Sequence, residues 1–505
     1  MYAKRQKIGL FLGPVLFILI LLLPQPNNLS TEAFRVLAIA VLMSIWWVTE
    51  AIPIPATSLL PLALFPTLSV MSAKSASAPY ANHLIYLFLG GFFIARAMEK
   101  WNLHKRVALH TIRIVGTSPN RIILGFMLST AFLSMWISNT ATAMMMVPIA
   151  LAVIGETALV IQGKQECHPN DPEVMNIDSR PTHFRFGSCL MLSIAYSASI
   201  GGAATLIGSP PNTILVGIVD KTWGIQITFA QWMALGVPLS LTMLLVCWFY
   251  LTRFAFKCEI KELPGGKKMI LDQLKDLGPI TGPEKKVLLV FSFVATCWIG
   301  KGFIDVAALS MVHDATIAII GALILFAFPV DLNKGEFLLD WETAQKVPWD
   351  VIILFGGGLS LAHGFNVTGL AHWIGEQLSI LKGANLLVLV FSVVFLTIFL
   401  TEVTSNTATA SMLIPIMGST AIAMMVHPFA LIMGAGIAAS YAFMLPIATP
   451  PNAVVFGARQ VTIPQMAKTG LWLNIFGGFL ITFFIFSLLP LIWGIDLYTI
   501  PTWAK

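Results

Sequence analysis

One short polar sequence occurs twice in this chain, each time inside a long apolar region. Residues 138–149 read SNTATAMMMVPI and residues 405–416 read SNTATASMLIPI, so nine of twelve positions are identical at an offset of 267 residues. Hydrocarbon offers no hydrogen-bond partners, so polar groups at membrane depth must find partners within the protein or bind ligands. The duplication therefore predicts two related halves, each with a polar cluster inside an apolar region.

The number of apolar regions excludes an ordinary soluble protein. Of the 505 residues, 57% are hydrophobic and only 11% are charged, and the mean hydropathy is +0.83. Soluble proteins carry about a quarter of charged residues. We therefore expect an all-α polytopic membrane protein. The 30 Lys and Arg exceed the 24 Asp and Glu only modestly and cluster in loops, which suits membrane orientation and gives no reason to expect nucleic acid as a partner.

Eleven apolar segments are long enough to be candidate crossings at about 20 residues each. They lie near residues 8–23, 34–50, 54–70, 84–98, 188–217, 229–252, 286–303, 313–329, 350–365, 427–457 and 470–495. Two further apolar regions, 122–161 and 386–424, carry the twin motifs. Each of these two is long enough for two spans or for one hairpin that enters the membrane and returns.

The positions of the basic residues favour two re-entrant hairpins. If the N-terminus is cytoplasmic and neither hairpin crosses, the basic loop around residues 100–121 and the stretch 253–286, with its eight Lys or Arg, both lie inside. The C-terminus is then external. Hairpin arms of about 15 residues reach roughly 22 Å, which places each motif near the middle of the membrane.

Two proline pairs predict broken helices after the hairpins. The sequences Ser209-Pro210-Pro211-Asn212 and Thr449-Pro450-Pro451-Asn452 lie inside the apolar segments 188–217 and 427–457. Consecutive prolines remove backbone donors and disfavour helix at the preceding residue. Five crossings separate the halves, so the halves are inverted relative to each other. Interrupted segments at matching places in inverted halves are the best sequence pointer to a transporter's binding site.

The predicted organisation therefore has four parts. A first helix, 1–33, precedes the first inverted repeat, 34–252, which contains the hairpin 122–161 and the broken helix 188–217. An interfacial connector, 253–285, leads to the second repeat, 286–505, with the hairpin 386–424 and the broken helix 427–457. The polar stretch 162–187 is predicted to be a cytoplasmic loop.

Four polar elements should meet at one place in this arrangement. They are Ser138-Asn139-Thr140, Gly208-Ser209, Ser405-Asn406-Thr407 and Ala448-Thr449. Hydroxyl, carboxamide and carbonyl oxygens coordinate a hard cation such as Na⁺, whereas hydroxyl and amide donors with half-helix N-termini hold anionic oxygens. A hydroxyl also stands one helical turn before each motif, at Ser134 and Thr401, which predicts two related cation sites.

Two acidic residues lie near apolar segments. Glu402 follows Thr401 directly and is either a structural partner or a proton site, and Glu50 lies at a span end where an anchoring role is favoured over ion binding. No nucleophile, base or metal cluster suggests an enzyme, and we expect no cofactor. The residues thus predict a transporter that couples an anion to a cation.

The twin Ser-Asn-Thr motifs, the Ser-Pro-Pro-Asn and Thr-Pro-Pro-Asn turns and the stretch Trp46–Pro53 resemble the divalent anion:sodium symporters, over residues 36 to 500. This resemblance implies a homodimer with eleven membrane helices and two re-entrant hairpins that works by an elevator motion. It also implies transport of dicarboxylates, citrate or sulfate with several Na⁺, and a bacterial-type sodium-coupled dicarboxylate transporter of the inner membrane.

The resemblance also assigns roles to residues of the four polar elements. One sodium site would use Ser134, Ser138, Asn139 and Gly208, and the other Thr401, Thr404, Asn406 and Ala448. The substrate would contact residues from both motifs and both breaks, namely Ser138, Asn139, Thr140, Ser209, Ser405, Asn406, Thr407 and Thr449. We expect sodium-coupled uptake of C4-dicarboxylates first and citrate second. A sodium-independent exchanger or a proton-coupled carrier of the same fold, with Glu402 titrating, is the alternative.

Overall fold

The structure is a computed structural model that describes residues 3–116, 118–161, 182–257, 266–303, 312–377 and 383–504. These residues are mostly helical. Most of the predicted loop 162–187 and part of the predicted connector 253–285 lie outside the described residues.

The first half of the chain, up to the described part of the connector, contains thirteen α-helices among the described residues. In chain order they are α1 Lys4–Leu22, α2 Thr31–Thr49, α3 Ile54–Thr57, α4 Leu60–Thr67, α5 Ala73–Ser77, α6 His83–Lys100, α7 Leu103–Val115, α8 Pro119–Ser134, α9 Asn139–Ile161, α10 Arg185–Gly202, α11 Pro210–Trp223, α12 Phe229–Tyr250 and α13 Gly266–Asp276.

The second half contains ten α-helices and one small β-hairpin among the described residues. They are α14 Gly282–Gly300, α15 Asp314–Ala327, β1 Pro329–Asp331, β2 Glu336–Phe337, α16 Trp341–Ala344, α17 Trp349–Val367, α18 Leu370–Gln377, α19 Leu386–Thr401, α20 Asn406–Ala423, α21 Phe429–Ala438, α22 Pro450–Gly457 and α23 Ile463–Trp493. The two strands pair antiparallel. The all-helical prediction did not include this hairpin.

Seven helical stretches among the described residues are long and apolar enough to cross a membrane. They are Lys4–Leu22, Thr31–Thr49, Ala73–Lys100, Asn139–Ala158, Phe229–Ala255, Trp349–Val367 and Ile463–Trp493. Several of the predicted crossings are shorter, because the segment 54–70 forms two short helices and the segments with paired prolines are interrupted. Length alone does not separate crossing helices from hairpin arms, since Asn139–Ala158 belongs to a predicted hairpin.

The N-terminal helix packs closely on α2 through two glycines. A Cβ atom at Gly9 would lie 1.9 Å from Thr49 Oγ1, and one at Gly13 would lie 2.7 Å from Trp46 Nε1. Trp46 Nε1 also donates a hydrogen bond of 3.1 Å to the carbonyl of Gly9. The spacing of these glycines is the small-residue pattern that lets two helices approach closely in membranes.

The helices that carry the motifs pack in the same way in both halves. In the first half α10 contacts α8, α9 and α12, and in the second half α21 contacts α19, α20 and α23. The halves also exchange contacts, because α11 packs against α20 while α22 packs against α9. The second arm of each hairpin therefore lies against the broken helix of the other half.

A buried ion pair joins the first half to the helix that follows the connector. Arg106 Nε donates to Glu284 Oε1 at 2.9 Å, and the side chains are only 10% and 3% exposed. The same guanidinium donates to the carbonyl of Gly278 at 2.9 Å. The charges are buried but hydrogen-bonded, which is the condition under which a buried pair is tolerated.

Candidate functional site

Both Ser-Asn-Thr motifs lie at the turn between two helices. In the first hairpin α8 ends at Ser134 and α9 begins at Asn139, and in the second α19 ends at Thr401 and α20 begins at Asn406. The backbone N–H of Ala141 donates to Ser138 Oγ at 3.3 Å, so this serine caps the start of α9. The first arms, α8 and α19, have 16 residues each, close to the predicted 15.

In the first hairpin, three oxygen atoms surround the carboxamide of Asn139. Ser134 Oγ lies 2.5 Å from Asn139 Oδ1 and 2.7 Å from the carbonyl oxygen of Ala198 in α10. If the carboxamide is turned over, its nitrogen donates to the carbonyls of Ala198 and Gly208, each at 3.1 Å. Gly208, Ser134 and Asn139 therefore lie together in the structure.

The second hairpin repeats this arrangement. Thr401 Oγ1 lies 2.7 Å from Asn406 Oδ1 and 3.0 Å from the carbonyl oxygen of Ala439, just after the end of α21. In each half one hydroxyl therefore faces a carboxamide oxygen and a backbone carbonyl. A hydroxyl has a single hydrogen to donate, so it cannot fully satisfy both acceptors. In the second cluster the acceptor oxygens therefore outnumber the hydrogens, whereas in the first the turned Asn139 carboxamide supplies the missing donors.

The paired prolines interrupt their helices as predicted. Residues 203–209 separate α10 from α11, and residues 439–449 separate α21 from α22. The first break is buried throughout, and the second is buried except at residues 444–447. Their backbone groups need partners within the protein, because a buried unpaired polar group costs about 1–3 kcal/mol.

Two asparagines that were not predicted as site residues provide such partners. Asn212 Nδ2 donates to the carbonyls of Gly202 and Thr205 at 2.9 and 2.7 Å. Asn452 Nδ2 donates to the carbonyls ten and seven residues before it, those of Ala442 and Leu445, at 3.2 and 3.0 Å. Among the described residues neither Oδ1 atom has a hydrogen-bond partner. The signal in the sequence was the asparagine that follows each proline pair.

One hydrogen bond connects the two breaks directly. Ser209 Oγ lies 3.0 Å from Ser440 Oγ, and the two residues are 2% and 1% exposed. Ser440 was not predicted, because the second half offers no Ser-Asn-Thr or proline motif at that position. The contact brings parts of both halves to a single place.

The other predicted residues lie at the two hairpin turns and in the second break. Thr449 caps α22 by accepting from the backbone of Asn452 at 3.3 Å, and Thr404 Oγ1 lies 2.5 Å from Thr409 Oγ1. Thr407 and Ala448 are buried, while Ser138, Thr140 and Ser405 are partly exposed. The partly exposed residues are the ones that can contact a ligand without rearrangement of the turns.

Glu402 is buried and anchored by backbone groups rather than by a cation. Its two carboxylate oxygens accept from the backbone N–H groups of Phe443, Met444 and Leu445 and from Asn474 Nδ2, at distances between 2.7 and 3.0 Å. Glu50, by contrast, lies 3.3 Å from Arg5 at the start of α1, with both side chains about 40% exposed. This contact agrees with the anchoring role that was favoured for Glu50.

Two cavities lie beside the second arms of the hairpins. One of about 710 Å³ is lined by residues of α11, α17, α18 and α20, and one of about 500 Å³ is lined by residues of α7, α9 and α13. None of the predicted substrate or cation residues lines either cavity. The site therefore depends on the turns and breaks and not on the two cavities.

Solved transporter structures share this fold. The YdaH transporter of Alcanivorax borkumensis matches with a TM-score of 0.55 and 13% identity, covering 97% of each chain. MtrF of Neisseria gonorrhoeae, from a class described as antimetabolite efflux pumps, matches with a TM-score of 0.56 and 11% identity, covering 95% of each chain. At these identities the likeness concerns the fold alone.

Sequence comparison gives closer relatives. A protein of Staphylococcus saprophyticus named sodium-dependent dicarboxylate transporter SdcS is 46% identical over 98% of this chain and 93% of its own length. A Staphylococcus aureus protein of the same name is 44% identical over 98% of this chain and 94% of its own length. The family model described as "Sodium:sulfate symporter transmembrane region" matches residues 4–499. The chain therefore belongs to the sodium:sulfate symporter family, the divalent anion:sodium symporters that its motifs resemble, and is a membrane transporter rather than an enzyme.

Proposed function

We propose that this protein is a sodium-coupled symporter for small dicarboxylates, with the C4 acids succinate, malate and fumarate as first candidates and citrate as the second. The two relatives named sodium-dependent dicarboxylate transporters are 46% and 44% identical over nearly the whole chain. This chain has both Ser-Asn-Thr motifs and both proline pairs. Every side-chain position that the family resemblance assigns to sodium or substrate holds an oxygen-bearing residue.

The oxygen cluster found twice is the observation that carries this proposal. In each half a motif carboxamide and a backbone carbonyl lie within 3.0 Å of one hydroxyl oxygen. Hydroxyl, carboxamide and carbonyl groups offer neutral oxygens, which are suited to a hard cation. Sodium would be held by Ser134, Ser138, Asn139 and Gly208 in the first half. In the second half it would be held by Thr401, Thr404, Asn406 and Ala448.

The dicarboxylate would lie between the two clusters. Its carboxylates would contact Ser138, Asn139, Thr140 and Ser209 on one side and Ser405, Asn406, Thr407 and Thr449 on the other. The helices α11 and α22 begin at Pro210 and Pro450, directly after Ser209 and Thr449, so their N-termini favour negative charge there. The hydrogen bond between Ser209 and Ser440 supports one shared binding site. Sodium ions beside the anion would offset part of the cost of burying its charge.

The membrane arrangement that we propose has eleven crossings and two re-entrant hairpins in inverted repeats. The N-terminus would be cytoplasmic and the C-terminus external, in a bacterial inner membrane. The exchanged packing of α11 on α20 and of α22 on α9 supports two interlocked halves. We further propose a homodimer that works by an elevator motion, as the family resemblance implies.

Uptake by proteoliposomes tests this function. We expect radiolabelled succinate to accumulate when a sodium gradient points inward, and to accumulate more with a negative interior if net positive charge enters, at about 2.3 kcal/mol per charge per 100 mV. Competition with malate, fumarate, citrate and sulfate would then rank the substrates. Uptake that is unchanged when K⁺ replaces external Na⁺ would contradict symport and favour the exchanger, and uptake driven by a proton gradient would favour the proton-coupled carrier.

A further inference from the structure

The structure brings a cationic side chain to the edge of a site in which no assigned residue carries a positive charge. Arg5 lies in the first turn of α1, and its Nη1 is 3.5 Å from the carbonyl oxygen of Val403. Val403 belongs to the second hairpin turn, between Thr401 and Ser405. The contact joins residues 398 positions apart, so only the packing of the helices reveals it.

The corner between α1 and α2 holds the Arg5 guanidinium in place. Arg5 Nη2 lies 3.3 Å from Glu50 Oε2, and Gln6 Nε2 donates to the carbonyl of Glu50 at 3.1 Å. Glu50 follows the last residue of α2 and has a left-handed backbone conformation, with a φ of 52°. The carboxylate of Glu50 therefore fixes one side of the guanidinium and leaves the other side toward the second hairpin turn.

The side of the guanidinium that faces the turn is available to an anion. A guanidinium has five N–H donors in a planar fork, and the contacts with Glu50 and Val403 do not use them all. The Val403 contact is longer than a well-formed hydrogen bond of about 2.9 Å. Arg5 is 40% exposed and Val403 is 48% exposed, so solutes reach both. A carboxylate is a stronger acceptor than a neutral carbonyl and fits the fork, so it can displace the Val403 carbonyl.

This contact lies at the end of the molecule that faces the cytoplasm in the proposed topology. The helix α1 begins at Lys4, beside the N-terminus that we propose to be cytoplasmic. The second hairpin would enter from the external side, and its 16-residue first arm spans about 24 Å of a hydrocarbon core of about 30 Å. Ser405 and Asn406 are partly exposed next to Val403. The exposed edge of the second turn and Arg5 therefore lie together on the cytoplasmic side.

We propose that Arg5 is a further substrate-contacting residue at the cytoplasmic edge of the site, where its guanidinium binds one carboxylate of the dicarboxylate in place of the Val403 carbonyl. Glu50 is the positioning residue that holds the guanidinium there and competes with the substrate for it. An otherwise neutral site thus gains a cationic contact on one side of the membrane only. The role of Arg5 rests on the proposed function, because it assigns another contact to the same dicarboxylate.

Four variants separate the contact from the surface charge. Arg5→Gln removes the charge, whereas Arg5→Lys keeps the charge but loses the planar fork. Glu50→Gln keeps the guanidinium and removes its competing carboxylate. Lys7→Gln is the matched control, because it removes the same charge from an exposed position two residues later on the same helix.

The affinity for substrate is measured from each side of the membrane. Inside-out and right-side-out membrane vesicles from cells that express the full chain are given radiolabelled succinate and the same inward sodium gradient. In inside-out vesicles we expect Arg5→Gln to raise the succinate concentration at half-maximal uptake roughly threefold to tenfold. In right-side-out vesicles the change should be less than about twofold, and Arg5→Lys should lie between Arg5→Gln and the wild type.

Glu50→Gln should have the opposite effect. Because its competing carboxylate is gone, the half-saturating succinate concentration in inside-out vesicles should fall by about twofold, and Lys7→Gln should resemble the wild type. If the ion pair served only the fold, Arg5→Gln and Glu50→Gln would change the affinity in the same direction. That outcome would overturn the role of Arg5, as would equal effects of Lys7→Gln and Arg5→Gln or an effect of Arg5→Gln that is the same from both sides.

The wild-type protein in the same vesicles distinguishes this role from the proposed function. If wild-type uptake requires sodium but Arg5→Gln matches the wild type from both sides, only the role of Arg5 fails. If neither Arg5 variant folds, as judged from thermal unfolding, the residue serves the fold and its role at the site is overturned. If wild-type vesicles of both orientations take up neither C4-dicarboxylates nor citrate, the proposed function fails and the role of Arg5 fails with it.

Discussion

The two halves of the site share one hydrogen-bonding scheme. They differ in the small residues at the helix break and in the acidic residue beside it. Each has a hydroxyl beside a carboxamide at a hairpin turn, and an asparagine that donates to the carbonyls ten and seven residues before it. At the break of the first half stand two glycines, Gly202 and Gly208. The matching positions of the second half are Ala442 and Ala448. The donors and acceptors are therefore repeated, whereas the crowding at the break and the acidic residue beside it are not.

The glycines of the first half are needed because the backbone is more crowded there. A Cβ atom at Gly202 would lie 2.5 Å from Asn139 Oδ1, and one at Gly208 would lie 2.6 Å from the carbonyl of Gly202. The second break is longer and leaves room for two alanines, but it exposes more backbone N–H groups, which Glu402 binds. A tight break without an acidic residue is therefore matched by a looser break whose backbone N–H groups bind the carboxyl group of Glu402.

The largest effect should come from removing the carboxamides that both halves share. Asn139→Ala and Asn406→Ala should each reduce sodium-driven uptake by about 100-fold or more. Each variant deletes a proposed sodium ligand and removes the carboxamide as hydrogen-bond partner of the neighbouring buried polar groups. Uptake by proteoliposomes that contain equal amounts of folded protein measures this effect. Normal uptake in either variant would contradict the paired-site interpretation, and membrane insertion with an intact dimer is the control.

A substitution at matched positions should separate the halves. Gly202→Ala should lower uptake by about tenfold or more and destabilise the protein by about 1–3 kcal/mol, since the added Cβ overlaps Asn139 Oδ1. Ala442→Gly, the converse change in the second half, creates no overlap. Thermal unfolding and initial uptake rates test both. Equal losses in the two variants would show that the crowding in the first half does not matter.

The asparagines that follow the proline pairs should matter equally in both halves. Asn212→Ala and Asn452→Ala each leave two buried carbonyls without a donor, so each should destabilise the folded state by about 1–3 kcal/mol. The shift in the thermal unfolding temperature measures this effect. A large shift in only one variant would mean that the shared hydrogen-bonding scheme supports one half more than the other.

The smallest effect should come from an ion pair outside both clusters. Asp340 lies 2.7 Å from Lys100 and accepts from Thr343 N at 2.7 Å. Partial burial alone would raise the pKa of Asp340, but the hydrogen bonds from Lys100 and Thr343 lower it to about 2. Because the pKa of Asp340 is lower in the folded state, the ion pair stabilises the fold at pH values above the ordinary pKa of aspartate. This stabilisation is lost as the pH falls through about 2.

Because the side chain of Asp340 is 44% exposed, solvent screening limits the contribution of the pair to about 1 kcal/mol or less. Asp340→Asn should therefore change the unfolding temperature at pH 7 only slightly and leave the sodium requirement for uptake unchanged. A change in the sodium requirement would show that the sites respond to charges far from both clusters, which would weaken the comparison of the halves.

The sequence predicted the parts of the site that depend on local chemistry. Paired prolines break a helix wherever they occur, and both breaks lie where the prolines placed them. The hydroxyl four residues before each motif serine lies against the motif asparagine, although the contact crosses the turn between two helices rather than following one helix. The length of the second hairpin arms does not reveal whether they cross the membrane or return to the side they entered from, since α9 is as long as several candidate spans.

Ser440 and Glu402 show what the sequence could not reveal. Ser440 belongs to no repeated motif, and its contact with Ser209 joins residues 231 positions apart. The sequence left two roles for Glu402, a structural partner or a proton site. In the structure N–H donors surround its carboxyl group. Long-range partners of this kind depend on how the helices pack, which single-residue patterns do not encode.

The sequence by itself determined the membrane class, the two motifs, the two breaks and the family, because polarity, proline chemistry and repetition are properties of the chain. Only the tertiary structure decided that each hairpin lies against the broken helix of the other half and that the second break is longer and held by a carboxylate. The physical reason is that buried donors and acceptors are satisfied by whatever packing brings near them, and that packing joins residues from both halves of the chain.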